Sequence, residues 1–251
     1  MVDAKAYLLS QTFNITSPDS WLHIVDVSDP SAPALLGSFD VPGIAEEVGV
    51  VSSNLMGTPE ITAYVADGRG GLHIVDVSDP AAASLVATVD DQWRASHVAV
   101  ANGLAYVASE GRGVHIVDVG DPATASVLAS YERPTSVIDL DTEGTYGYII
   151  SADKLWVADL ANPNPATPSF LGTHRLQRGP RHLVASDSRV YVVEPAHGVE
   201  IFDVSDSQNP VLAGEYAAPP ASEVSDIYVN GQYGYVSAAR WIGGGRSLTA
   251  C

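Results

Sequence analysis

Cysteine is nearly missing from this chain: Cys251, the final residue, is the only one. A lone thiol cannot form an intramolecular disulfide, so no disulfide framework is expected and the redox compartment stays open. Lysine is nearly missing too, at Lys5 and Lys154 only. With arginine the bases number 12 against 30 acids, a formal charge of −18 at pH 7. A field of that sign repels phosphate backbones and argues against nucleic acid as a partner. It suits either a high-salt setting or ordinary solubility. No apolar run approaches the ~18 residues of a membrane helix, so no membrane insertion is expected. The stretch Met1 to Phe13 lacks a basic segment followed by a long apolar one, so no signal peptide is read in this chain. Charged residues are 17%, below the usual ~25%. Hydrophobic residues are 46% of 251, enough for a sizeable core.

What is present is repetition. Leu22-His23-Ile24-Val25-Asp26-Val27 recurs letter for letter at Leu72 to Val77 and almost so at Val114 to Val119. Leu155 to Leu160 and Val199 to Val204 are weaker copies. A second phrase precedes each: Ala6-Tyr7-Leu8, then Ala-Tyr-Val at Ala63 and Ala105, then tyrosines at 148, 191 and 235. From Tyr64 onward these tyrosines fall 42 to 44 residues apart.

Each unit holds four β-type runs. In the second they are Glu47 to Val51, Thr62 to Ala66, Leu72 to Val77 and Ser84 to Val89. Gly68 to Gly71 and Ser78-Asp79-Pro80 supply the turn chemistry between them. The third run is apolar at nearly every position, as in a strand covered on both faces. Four strands per ~40–45 residues, repeated, predict an all-β fold: a β-propeller of four-stranded antiparallel blades, with five repeat units plus a partial sixth. A β-solenoid is the competing fold, but its coils are usually shorter.

Leu-His-Ile-Val-Asp-Val-Ser-Asp-Pro, preceded by Ala-Tyr-Val-Ala-Asp-Gly, resembles the LVIVD repeat of bacterial and archaeal proteins. The likeness is strong in the first three units and weaker at Ala158 to Pro163. It implies a propeller that is often exported, hence an extracellular or cell-surface setting, and no general enzymatic activity.

The repeats place one propeller domain over residues 1–251, with an irregular tail at 239–251. A first strand near Ser225 to Asn230 either pairs with the opening strand to close a five-bladed ring or belongs to a further blade. The departure of the tail from the repeat favours a fragment of a longer propeller. Insertions at Ser10 to Ser20 and Ser53 to Glu60 lengthen two connections of the first unit, where binding function concentrates in rigid scaffolds. Asn14-Ile15-Thr16 matches a glycosylation sequon.

Candidate chemistry gathers at the starts of the first strands. The aligned positions are Glu47, His97, Val137, His182 and Asp226. Imidazoles and carboxylates converging there have the donor types of a divalent-metal site: Glu47, His97, His182 and Asp226. The plainer expectation is that polar residues line a channel. No cofactor is otherwise called for. Trp93, Arg94, His97, Arg181 and His182 are the expected ligand contacts, since loop aromatics and arginines dominate binding surfaces. His23, His73 and His115 on third strands are expected to be satisfied packing residues. The repeated Asp26, Asp76, Asp118, Asp159 and Asp203 are expected to cap turns. No phosphate loop, Gly-x-Ser-x-Gly or His-Glu-x-x-His is present. The leading expectation is a non-enzymatic binding scaffold for a protein or glycan partner. The alternative is a metal-dependent hydrolase or lyase.

Overall fold

The computed structural model describes residues 4–12, 19–55, 58–89, 93–160, 169–176, 179–220, 222–242 and 245–250. The helical pieces among them are two 3-10 turns, Pro80–Ala82 and Pro122–Thr124. All other regular structure is strand, arranged in six antiparallel sheets.

Sheet one holds β1 (Lys5–Thr12), β2 (Asp19–Asp26) and β3 (Ala34–Val41). Sheet two holds β4 (Glu47–Leu55), β5 (Thr58–Ala66), β6 (Leu72–Asp76) and β7 (Ser84–Val89). Sheet three holds β8 (Ala95–Ala101), β9 (Leu104–Ser109), β10 (Gly113–Asp118) and β11 (Ser126–Tyr131). Sheet four holds β12 (Val137–Glu143), β13 (Tyr146–Ser151), β14 (Lys154–Asp159) and β15 (Ser169–Arg175). Sheet five holds β16 (His182–Ser186), β17 (Arg189–Glu194), β18 (Gly198–Asp203) and β19 (Val211–Ala217). Sheet six holds β20 (Ser222–Asn230), β21 (Tyr233–Ile242) and β22 (Gly245–Ala250). In each sheet the spatial order follows the chain, the meander of a propeller blade. Two compact units result, Met1–Arg133 with sheets one to three and Pro134–Cys251 with sheets four to six.

The sequence explains these elements locally. Asn102 and Gly103, with φ of 53° and 74°, make the left-handed pair of a tight hairpin between β8 and β9. Asp187 and Ser188, at 53° and 57°, do the same between β16 and β17. The third strands are buried on both faces, as their unbroken apolar pattern requires: Leu72 to Val75 and Gly113 to Val117 are all buried. Each pairs with its fourth strand through a bulge, at Ile24/Val25, Ile74/Val75, Ile116/Val117, Val157/Ala158 and Ile201/Phe202. A bulge bends and twists an outer strand and makes it a poor template for further pairing.

Neighbouring sheets in a unit share apolar seams. In the first unit Leu22 and Ile24 pack with Ala63, Val65, Val75 and Val77. Tyr64, Leu72 and Ile74 pack with Ala105, Val107, Val117 and Val119. In the second unit Tyr148, Leu155 and Val157 pack with Val190, Val192, Phe202 and Val204. Each of the larger side chains is worth ~1.5–3 kcal/mol on burial, so the seams dominate stability. The turn after a third strand also docks on the preceding sheet. A Cβ at Gly37 on β3 would lie 1.7 Å from the Pro80 carbonyl oxygen, an approach only glycine permits.

Three expectations change in detail. The tail is not irregular: β21 runs through to Ile242, and β22 pairs with it from Ile242↔Gly245 to Ser237↔Ala250. The segment near Ser225 to Asn230 is β20, which pairs with β21 in a sheet of its own, so sheet one remains three-stranded. The insertion Ser53 to Glu60 extends a hairpin rather than adding an irregular loop, since Ser53 pairs with Glu60 and Leu55 with Thr58. Pairing satisfies backbone groups that a loose loop would leave to solvent. Most of Ser10 to Ser20, the sequon at Asn14 and Arg178 lie outside the described residues.

Candidate functional site

In the second unit, the starts of three successive first strands meet. His182 on β16 sits between two carboxylates: its Nδ1 lies 2.6 Å from Asp139 Oδ2, and its Nε2 lies 3.2 Å from Asp226 Oδ1. Asp139 is buried, while Asp226 is exposed. Burial by itself would push the His182 pKa down. Hydrogen bonds and charge attraction from both carboxylates outweigh it and raise the value to about 10. The hydrogen bond to His182 holds Asp226 below its ordinary range. At neutral pH His182 is therefore an imidazolium facing both aspartates.

The strand that carries Asp139, β12, holds a ladder of carboxylates. Asp139 Oδ2 accepts the Leu183 N–H at 2.8 Å, and Asp141 Oδ2 accepts the Ala185 N–H at 2.9 Å. The two oxygens of Glu143 accept the Asp187 and Ser188 N–H groups at 2.5 and 3.1 Å. Alternate residues of a strand share a face, so Asp139, Asp141 and Glu143 together clasp the first strand of the next sheet. Burial pushes the Asp141 pKa up, against the pull of the Ala185 and Thr142 N–H groups. The first unit carries the same motif: Glu47 Oε2 accepts the Val98 N–H at 2.8 Å, beside half-buried His97.

Of the expected metal set, His182 and Asp226 do meet within the second unit; Glu47 and His97 belong to the first. The residue the sequence reading missed is Asp139. Asp139 pairs with Ile150 as His182 pairs with Val193, so Asp139 rather than Val137 stands in the aligned column. The signal was there to count. Asp139 precedes Tyr148 by nine residues, as His97 precedes Tyr106, His182 precedes Tyr191 and Asp226 precedes Tyr235.

The expected ligand contacts divide by exposure. Arg94 and Arg181 are exposed. Arg94 Nη1 reaches Glu110 Oε2 at 2.6 Å, with both side chains more than half exposed. Trp93 is only 2% exposed and stacks on His115, the ring centroids 4.2 Å apart and the planes 11° from parallel. It is a packing residue, because a stacked and desolvated indole gains more inside than at a rim.

The third-strand histidines are packing residues, each with a hydrogen-bond partner. His23 is hydrogen-bonded to Ser10 and Ser38, each at 2.8 Å. His73 meets Asp67 at 2.7 Å and Thr88 at 2.9 Å, and His115 meets Ser130 at 2.7 Å. The recurring aspartates cap turns: Asp26, Asp76, Asp118 and Asp203 accept the N–H two residues on, at 2.8 to 3.0 Å. The Ser28 N–H lowers the pKa of Asp26, and the Ser205 hydroxyl and then its N–H lower that of Asp203. Four carboxylates each occupied by its own turn do not form a catalytic pair.

Successive blades tied by seams and carboxylate clasps define a propeller-type repeat scaffold. The LVIVD repeat profile matches residues 17–41, 63–91, 94–132 and 181–218, more than half of the chain. The chain belongs to the LVIVD-repeat family. The matches fall on sheets one, two, three and five, and the weakened phrase of sheet four is not among them. Among solved structures, the computationally designed Ika8 protein is similar at a TM-score of 0.57 and 13% identity, over 94% of this chain and 83% of that one. The computationally designed Ika4 protein is similar at 0.49 and 15% identity, over 64% and 91%. No curated protein matches the chain.

Proposed function

We propose that this repeat scaffold is a non-catalytic binding protein, exported or displayed at the cell surface. It offers the loops leading into its first strands to a protein or glycan partner. The observation that carries the reading is how the first-strand polar groups are used. Both nitrogens of His182 face carboxylates, and the carboxylates of Glu47, Asp139, Asp141 and Glu143 accept backbone N–H groups of the neighbouring sheet. Groups spent on holding blades together are poorly placed to act as bases or nucleophiles. Arg94 and Arg181, by contrast, are exposed in those loops. The family resemblance supports the exported setting.

The metal-dependent hydrolase or lyase alternative needs His182 to give up a proton held to about pH 10 before it can ligate. Two measurements test the proposal together. Glycan arrays and panels of extracellular proteins are probed with the wild-type chain and with Arg94→Glu and Arg181→Glu variants. Partner binding that weakens at least tenfold in either variant supports it. Thermal melts with EDTA and with zinc, manganese or calcium supply the other arm. A ligand at a hundred times its Kd adds ~2.7 kcal/mol. A metal-dependent rise abolished by His97→Ala or His182→Ala would replace the proposal with the metal reading.

A further inference from the structure

Acids outnumber bases 30 to 12 in this chain, and the bases of the first unit are Lys5, Arg69, Arg94, Arg112 and Arg133. Lys5 stands opposite Asp26 at the end of the sheets that carries the turn aspartates. There, after the Ser28 hydrogen bonds, its charge also lowers the pKa of Asp26. The four arginines gather at the other end. Arg69 lies in the β5–β6 hairpin and Arg112 in the β9–β10 hairpin, while Arg94 precedes β8 and Arg133 follows β11.

Backbone contacts join these pieces into one arc. Gly68, beside Arg69, exchanges N–H···O bonds with Ala95, beside Arg94, at 2.9 and 2.8 Å. The Arg94 carbonyl accepts the Glu110 N–H at 3.0 Å, and the Arg112 N–H bonds the Ser109 carbonyl at 3.0 Å. Gly113, beside Arg112, lies against the segment leading into Arg133, where a Cβ would meet the Tyr131 carbonyl oxygen at 1.8 Å. All four arginines are exposed.

In so acidic a chain, scarce bases are expected to be taken up by its own carboxylates. At this end several carboxylates are engaged otherwise: Asp67 with His73, and Glu47 with the Val98 N–H. Glu110 takes Arg94. Glu46 and Glu132 are exposed nearby. Even so, among the described residues Arg69, Arg112 and Arg133 make no ion pair. The arc therefore presents separate guanidinium groups on two successive blades. Residues 67–71, 93–94, 109–113 and 131–133 include no exposed aromatic or large aliphatic side chain, so the apolar core of a protein interface is lacking there.

We propose that this arc binds an acidic polysaccharide, its arginines gripping carboxylate or sulfate groups spaced along the sugar chain. The inference rests on the reading of the first-strand loops as a binding surface and names the class of partner. A guanidinium meets either oxyanion with two parallel N–H···O bonds. Separate arginines suit anionic groups spread along a polymer, whereas the charge of −18 disfavours the denser backbone of a nucleic acid.

The probes are polygalacturonate, dextran sulfate and neutral dextran, titrated into the full chain by calorimetry at low and at physiological salt. Saturable binding is expected with an acidic polymer and not with dextran, weaker by at least fivefold at the higher salt because exposed charges are screened. The tighter of the two acidic polymers assigns carboxylate or sulfate as the group held. Arg69→Ser, Arg112→Ser and Arg133→Ser should each weaken binding at least threefold, and the three together at least tenfold, with an unchanged melt. Lys5→Ser, at the opposite end, should leave it unaltered. Binding that survives the triple substitution, equal binding of neutral dextran, or no saturable binding of either acidic polymer overturns the proposal. Polyglutamate bound as tightly as the acidic polymers would assign the arc to an acidic protein and overturn it too. A neutral glycan or protein partner lost in Arg94→Glu would uphold the loops as a binding surface while overturning the acidic polysaccharide.

Discussion

In sheet two, His73 lies on a third strand, buried between Asp67 and Thr88 of its own sheet. In the second unit, His182 lies at the start of a first strand, between aspartates of the two flanking sheets. The chemistry is the same, imidazole against carboxylate, but the span differs. The His73 contacts fasten strands within one blade, and relatives of the arrangement recur at His23 and His115. The His182 contacts fasten three blades to one another. An interaction copied with the repeat serves the blade; one made from unlike residues in successive copies serves the assembly of blades.

The largest test of that distinction is Asp139→Ala. It strips His182 of its buried partner and leaves the Leu183 N–H unsatisfied, so a loss of about 3–5 kcal/mol is expected from chemical denaturation. Asp67→Ala should cost about 1–3 kcal/mol, because the remaining imidazole still has Thr88. If Asp67→Ala proved the more damaging, the division between blade and assembly would fail.

The pH dependence sharpens the contrast. The His182 pKa is raised from its ordinary 6.5 to about 10 in the folded chain. Its stabilisation is therefore complete below about pH 6.5 and fades as pH rises through 10. Unfolding measured at pH 6, 8 and 10 should show an alkaline decline that His182→Gln flattens. The depressed pKa of Asp226 acts at the other end, where its contribution is lost as pH falls below the ordinary carboxylate value. Asp226→Asn should therefore soften the acid limb of the same series.

Smaller effects lie at the hydroxyl partners. Thr88→Val or Ser130→Ala should each cost about 1 kcal/mol, the worth of one ordinary hydrogen bond. Smallest is Arg94→Ala, which removes an exposed ion pair and should change stability by less than about 1 kcal/mol. That silence would leave any loss of partner binding in this variant free of a folding explanation.

The site was partly legible beforehand. The aligned starts of the first strands point to His97, His182 and Asp226, and recurrence at strand ends points to the turn role of Asp26, Asp76, Asp118 and Asp203. Asp139 escaped because the column was laid on the start of the strand at Val137, and the nine-residue offset to the following tyrosine that His97, His182 and Asp226 share falls on Asp139. Trp93 sits in a loop by sequence, and only the ring of His115 stacked against it shows why it turns inward.

The sequence by itself determined the repeat, the four strands of a blade, the doubly buried third strand and the turn aspartates. These depend on spacing and on hydrophobic period, which a chain carries locally. Tertiary structure alone decided which carboxylates face which sheet and that Asp139 and Asp226 converge on one imidazole. Those outcomes depend on bulges and on side chains more than forty residues apart meeting across a seam, and no local pattern encodes such a meeting.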